Sequence, residues 1–215
     1  MQKSRREILV ATTNPGKVRE LRAMLGGSVE WRSLADFPAV GEVQEDGATF
    51  AENACKKAMA YARATGLWTL ADDSGLVVDA LGSAPGVNSA RFSGERPAGA
   101  DRKLLDRRNM EKVLSLLAGV PAERRTARFV CCLCLASPEK ILIETQGMLE
   151  GVIIDRPAGT GGFGYDPIFY VPRLGQTIAQ LGEQEKNAIS HRGNALRRLR
   201  PLLNQLLSGR DEQRR

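Results

Sequence analysis

Four short segments of this 215-residue chain hold residue types and spacings that could do chemistry. The first, TTNPGK at 12–17, follows the apolar run EILVATT and precedes KVRELRAML, where Val18, Leu21, Met24 and Leu25 fall at helical spacing. A strand running into a helix presents unpaired N–H groups and a positive dipole end, which suit phosphate. Lys17 adds a cation, and Thr12, Thr13 and Asn14 add donors. The segment is not a Walker A loop, which needs Gly at 11 and Ser or Thr at 18; the chain has Ala11 and Val18. A polar cap on an ordinary strand-to-helix turn accounts for the same residues.

LADDSGL at 70–76 sets Asp72 and Asp73 side by side where an apolar strand ends. Neighbouring strand residues face opposite ways, so the two carboxylates serve different sides. A strand-end carboxylate can hold Mg²⁺, which takes few protein oxygens plus phosphate and water. An Asx turn before Ser74-Gly75 is the competing reading. GTGGFGYDP at 159–167 contains GxGxxG at Gly159, Gly161 and Gly164, but it leads into the strand-like IFYVP, so it is not a dinucleotide fingerprint. So many glycines imply close backbone approach or positive φ, and Phe163 and Tyr165 within the loop suit a planar ligand. EKNAISHRG at 185–193 carries the sole histidine, His191, beside Arg192. With no GxSxG there is no nucleophile elbow. His191 is either structural or a hydrogen-bond donor to a ligand.

The elements that must position these segments follow from periodicity and turn residues. A strand lies near VEWRSL, and a helix covers 49–64, ended by Gly66. WTLADDSGLVVDAL reads as two strands about a tight turn at Asp73-Ser74-Gly75. The stretch 82–99 is a long loop, and 102–118 is a helix with Leu104, Leu105, Val113, Leu114, Leu116 and Leu117 on its apolar face. ARFVCCLCLAS and KILIETQGMLEGVII form a long hairpin across Ser137-Pro138. The stretch 188–207 is helical, with a break or restart at Pro201. Mixed helices and strands with an antiparallel hairpin argue for an α/β fold with a mixed sheet. The length suits one domain with a real core, and no linker divides it. Flexible tails are expected at 1–6 and 208–215.

The net charge of +6 draws on two basic blocks, 102–108 and 192–200. It favours anionic partners, whether nucleotide, nucleic acid or acidic membrane, or simply solvated helix faces. A nucleic-acid-binding module would need exposed interleaved aromatics or a helix-turn-helix or RNP signature, and none is present. The longest apolar run, near 129–136, is far short of the ~18 residues of a membrane span. MQKSRREILVAT has no apolar h-region or cleavage site, so a cytoplasmic protein is expected. Of the four cysteines, Cys131, Cys132 and Cys134 share one strand and read as core thiols. They make neither a disulfide framework nor, with Cys55 and the distant His191, a zinc site.

Taken in order, ILVATTNPGKVREL, TFAENACKKA, LADDSGLVVDAL, PGVNSARFSGE, GTGGFGYDPIF and EKNAISHRGNAL resemble the non-canonical purine NTP pyrophosphatase family, also called the inosine triphosphatase or Ham1-like family. The resemblance runs from about Ile8 to Leu203. It implies an elongated mixed β-sheet flanked by helices, two lobes with a central substrate cleft, and a homodimer without membrane or stable nucleic-acid partners. The implied activity is Mg²⁺-dependent hydrolysis of ITP, dITP and XTP to monophosphate and pyrophosphate. Thr12, Asn14 and Lys17, within the run that also holds Thr13, Pro15 and Gly16, match the triphosphate-binding residues, and Lys57 matches a second phosphate-binding lysine. Asp73 matches the proton acceptor and metal ligand, Asp72 a second active-site carboxylate, and Ser74 a substrate contact. The family's acidic pair before GxTFxEN is here Gln44-Glu45, so Glu45 retains one metal-binding carboxylate. Phe163 matches the aromatic that stacks on the purine, with Gly164, Tyr165 and Asp166 completing its loop. Lys186, His191 and Arg192 match residues that recognise the base edge. Donors there suit the 6-keto group of hypoxanthine and xanthine and meet a donor in adenine, at about 1–3 kcal/mol per unpaired group. A Maf-like pyrophosphatase acting on pyrimidine nucleotides is the runner-up; it opens strand–loop–helix as well but lacks the FGYDP and SHR pair.

Overall fold

The structure is a computed structural model that describes residues 5–12, 15–25, 29–94 and 101–212. In chain order the elements are β1 (Arg6–Val10), α1 (Pro15–Leu25), β2 (Val29–Ser33), α2 (Phe50–Thr65), β3 (Trp68–Val78), α3 (Arg102–Leu116), β4 (Thr126–Ala136), β5 (Ile141–Ile153), β6 (Phe169–Val171), β7 (Gln176–Thr177), α4 (Glu183–Ile189) and α5 (His191–Glu212). The strands form one sheet in the order β2-β1-β3-β4-β5-β6-β7. β1 runs parallel to β2 and β3, whereas β6 is antiparallel to β5 and β7. The α/β fold with a mixed sheet is therefore present. β4 and β5 are sheet neighbours joined by 137–140, too short for anything but an antiparallel return, and Ser137 N–H donates to Lys140 O at 2.9 Å.

The chain divides into two compact units. The first comprises Met1–Asp73, Cys131–Gly147 and Arg192–Arg215; the second comprises Ser74–Val130 and Met148–His191. In the first, Ile8 and Val10 of β1 pack with Leu21 and Leu25 of α1, Leu133 and Leu135 of β4, and Leu196 and Leu199 of α5. In the second, Leu76 and Val78 of β3 pack with Val113, Leu117, Phe129 and Phe169, and the last two rings lie 4.4 Å apart. Among the described residues no helix is long and apolar enough to cross a membrane.

Two local expectations are corrected. There is no turn at 73–75: β3 is one continuous strand through the DDSG segment. Gly75 is small for a different reason. A Cβ there would lie 2.2 Å from Ser89 Oγ and 2.8 Å from Gly86 O. Ser89, in the 3₁₀ segment Gly86–Arg91, accepts the Leu76 N–H at 2.9 Å and donates to Gly86 O at 2.6 Å. The loop thus lies directly on the strand, and any side chain at 75 would push it off. Gly75→Ala should cost about 2 kcal/mol of stability through overpacking, read as a lower urea midpoint; a shift below about 0.5 kcal/mol would refute the close-approach explanation.

The second correction concerns the C-terminal helix. It starts at His191, after α4 and an extended Ser190, and it passes through Pro201 without a break. A mid-helix proline loses a hydrogen bond and clashes with the preceding turn. Here the buried Leu199 and Leu203 pin the helix to the core on both sides of it. The helix continues to Glu212, into the tail expected from 208. At the other end β1 begins at Arg6, whose guanidinium lies 4.4 Å from the Trp68 ring centroid.

Candidate active site

In the first unit, charged side chains gather where β1 and β3 meet α1, α2 and α5. Thr12 closes β1, its N–H bonded to Val10 O. Thr13 and Asn14 lie outside the described residues, and Pro15 and Gly16 open α1, whose first turn carries no acidic residue. One turn on, Lys17 pairs with Asp72 at 2.7 Å. Asp72 also receives Arg192 at 3.4 Å, and Arg192 in turn pairs with Glu20. The next residue of β3, Asp73, turns to other partners, as the pleat requires. Its Oδ2 accepts from Asn53 Nδ2 at 3.1 Å. Lys57, one helical turn beyond Asn53 on α2, donates to Glu45 at 2.8 Å and to the Asp72 carbonyl at 2.7 Å. The helix that carries both is set by Thr49, whose hydroxyl accepts Glu52 N–H, and is stopped by Gly66.

The two aspartates are electrostatic opposites. Burial by itself would raise the pKa of Asp72, but Lys17, Arg192 and Lys57 overcome it and hold the carboxyl well below its usual range. Asp73 is pushed up to about 6, first by burial and then by the charge of Glu45, against the pull of Lys57, Lys17 and Asn53. For Lys57, burial lowers the ammonium, yet Asp72, Asp73 and Glu45 together carry it above its ordinary value. Arg192, 1% exposed, is likewise raised despite burial, by Asp72, Cys131 and Glu20.

This donor set bears on a metal. Among the described residues, no three His, Cys, Asp or Glu side chains converge as a cage. Glu45, Asp72 and Asp73 therefore do not form a three-carboxylate site, and Asp72 is engaged by Lys17 and Arg192. Mg²⁺ needs no such cage, since it keeps waters and takes one or two carboxylates with phosphate oxygens. Asp73 and Glu45, two carboxylates of which the second makes the first harder to ionise, fit that demand.

In the second unit, the 159–166 loop is built around Asp166, which is buried. Its Oδ2 accepts Phe163 N–H at 2.9 Å and Lys186 Nζ at 2.8 Å. Gly162 has φ +73, and a Cβ there would lie 2.1 Å from that same Oδ2, so the glycine makes room for the carboxylate. Lys186 Nζ also sits 4.4 Å from the centroid of the half-buried Phe163 ring, a cation–π contact. Tyr165 is buried, its hydroxyl donates to Ser89 O at 2.8 Å, and burial raises its pKa. The Gly164 N–H donates to Asp106 on α3 at 3.0 Å. His191 is 8% exposed, with its ring stacked on Phe129 at 4.8 Å, and Ser74 is half-buried on β3.

Residues 8–202 match the family model of the Ham1 family. The chain belongs to the Ham1 family. Among its Ham1-family relatives, the dITP/XTP pyrophosphatase of Desulforamulus reducens is 50% identical over 201 residues, which span 93% of this chain and 96% of that protein. The dITP/XTP pyrophosphatase of Geobacter sulfurreducens is 54% identical over 190 residues, 88% of this chain and 92% of that one. Of solved structures, a HAM1 protein from Coxiella burnetii superposes with a TM-score of 0.82 at 41% identity, covering 93% of this chain and 99% of that one. A nucleoside-triphosphatase / dITP/XTP pyrophosphatase from Mycobacterium abscessus gives 0.73 at 45% identity, with 91% and 99% covered.

Two further residues of this charged cluster in the Ham1-family chain are not among the candidate residues of the sequence analysis. Asn53 carries a local signal: it precedes Lys57 by four positions and so shares its helix face. It accepts Gly47 N–H through Oδ1 at 2.8 Å while donating to Asp73, and so ties the turn before α2 to the carboxylate. Glu20 carries no such signal, because its partner Arg192 is 172 positions away.

Proposed function

We propose that the chain hydrolyses the non-canonical purine nucleotides ITP, dITP and XTP to the monophosphate and pyrophosphate, with Mg²⁺ as the metal. The observation that carries the reading is the buried Asp73, poised at about 6 beside Lys57 and Glu45. A carboxylate of that basicity suits a general base near neutral pH, and its surroundings suit a polyanion with a divalent cation. The names of relatives at 50% and 54% identity support the same activity.

In this reading, the start of α1 and Lys17 take the phosphates, and Lys57 offsets charge that would otherwise repel Asp73. Asp73, oriented through Oδ2 by Asn53, takes a proton from the water that attacks the α-phosphorus, and pyrophosphate leaves. Asp73 and Glu45 would hold the Mg²⁺, which when bound neutralises phosphoryl oxygens and acidifies water. Phe163 stacks on the base, and Lys186 and His191 supply donors toward its 6-keto side. Arg192 acts on the phosphate side through Asp72, in keeping with its burial. Homodimerisation and a cytoplasmic location complete the reading.

A nucleotide panel tests it. ITP and XTP should exceed ATP and pyrimidine triphosphates in kcat/KM by roughly tenfold or more per donor contact. The products should be monophosphate and pyrophosphate, and EDTA should abolish turnover. Orthophosphate release, or equal turnover of ATP, would overturn the assignment.

A further inference from the structure

We propose that Asp106, on α3, is a positioning residue for base recognition, holding the Phe163–Gly164 turn at a fixed height from the helix. The inference rests on the reading that the 159–166 loop takes the base. Within that loop two consecutive amides are each capped by a carboxylate. Phe163 N–H goes to Asp166, three residues ahead in the same loop, and this bond shapes the turn itself. Gly164 N–H goes to Asp106 Oδ2 at 3.0 Å, a partner 58 positions away, and this bond ties the turn to another element. Gly164 has φ +62, so its amide leaves the line of the chain and points where a remote acceptor can reach it.

The same helix grips the loop's neighbours. Asn109, one turn on from Asp106 and 2% exposed, accepts Ser93 N–H at 2.7 Å and donates to Ser89 O and Ala90 O at 3.4 and 3.3 Å. Ser89 O is also the acceptor of the Tyr165 hydroxyl. α3 therefore holds the aromatic loop twice, through Asp106 at Gly164 and through Asn109 and Ser89 at Tyr165. Its own N-terminus is fixed by Asp101, which accepts Lys103 N–H at 2.9 Å. The Asn109 path is buried and anchors Tyr165. The Asp106 path is half-buried and ends at the residue beside the Phe163 ring. Removing it should free the ring without unfolding the loop. A charge-assisted bond to a backbone amide is of the strength that separates a fixed from a wandering side chain.

The test compares wild type, Asp106→Ala and Asp106→Asn in steady-state hydrolysis of ITP with Mg²⁺, and in inhibition by tripolyphosphate, which has no base. Asp106→Ala should raise KM for ITP about tenfold with kcat within about twofold, and leave the tripolyphosphate inhibition constant unchanged. Asp106→Asn keeps an acceptor oxygen and should restore most of the KM. The proposal is overturned if Asp106→Ala leaves KM for ITP unchanged, or if tripolyphosphate inhibition weakens as much as ITP binding. Phe163→Ala serves as the control on the underlying reading. If Phe163→Ala raises KM and Asp106→Ala does not, Asp106 alone is misassigned. If Phe163→Ala is also silent, the base-loop reading falls and the proposal falls with it.

Discussion

Asp73→Asn should abolish pyrophosphohydrolase activity by a factor of about 10³ or more while making the metal-free protein more stable at pH 8. The activity loss follows from removing the proposed base and metal ligand together; general-base removal alone is typically worth 10²–10⁴. The stability gain follows from the direction of the Asp73 shift. Its carboxyl stands at about 6 in the folded chain against 3.8 as the ordinary value. Between those two pH values the folded state binds more protons than the unfolded state, so stability falls as pH rises across the window. Above pH 6 the folded protein carries the full cost of a buried carboxylate, at most about 3 kcal/mol for a shift of this size. The amide of Asn has no charge to bury and can still accept from Asn53. Urea midpoints in EDTA at pH 8 should therefore rise by about 1–3 kcal/mol in the variant, and Mg²⁺ should raise the midpoint of the wild type only. An inactive variant that is also less stable than wild type would show that Asp73 is structural.

That Asp72 and Asp73 play different parts was partly legible in the chain. The strand period of two places neighbouring aspartates on opposite sides, and Asp72 and Asp73 do go to different partners. Helix α2 was legible at both ends, because Thr49 and Gly66 act on groups within a few positions of themselves. The turn misread at 73–75 shows where local reasoning stops. Gly75 is small on account of Ser89, which only the folded chain brings against it. Two glycines of the 159–166 loop likewise accommodate protein: Gly162 makes room for Asp166, and a Cβ on Gly159 would lie 2.5 Å from the Ala179 backbone. Arg192 shows the same limit: it is buried beside Glu20 and Asp72, and nothing near it in sequence announces those partners.

Asp72→Asn, one residue from Asp73→Asn and chemically the same change, should act on stability with the opposite sign. Asp72 is buried with Lys17 at 2.7 Å and Arg192 at 3.4 Å, and the attraction of these cations exceeds the cost of its burial. Neutralising it removes one anionic partner of the buried Arg192 guanidinium and takes this carboxylate from Lys17. Removing one partner of a buried ion pair costs roughly 3–5 kcal/mol, because the other charge stays desolvated. The pH dependence is distinctive. The folded pKa of Asp72 is depressed, so its contribution is present above its ordinary value of 3.8 and is lost as pH falls below it. In a pH series of urea midpoints without metal, Asp73→Asn should lie above wild type at pH 8 and Asp72→Asn below it. Acidification should close the first gap between about 6 and 3.8, and the second only below 3.8. Two variants displaced in the same direction at pH 8 would mean that Lys17 and Arg192 do not favour Asp72 over Asp73 as their ion pairs place them.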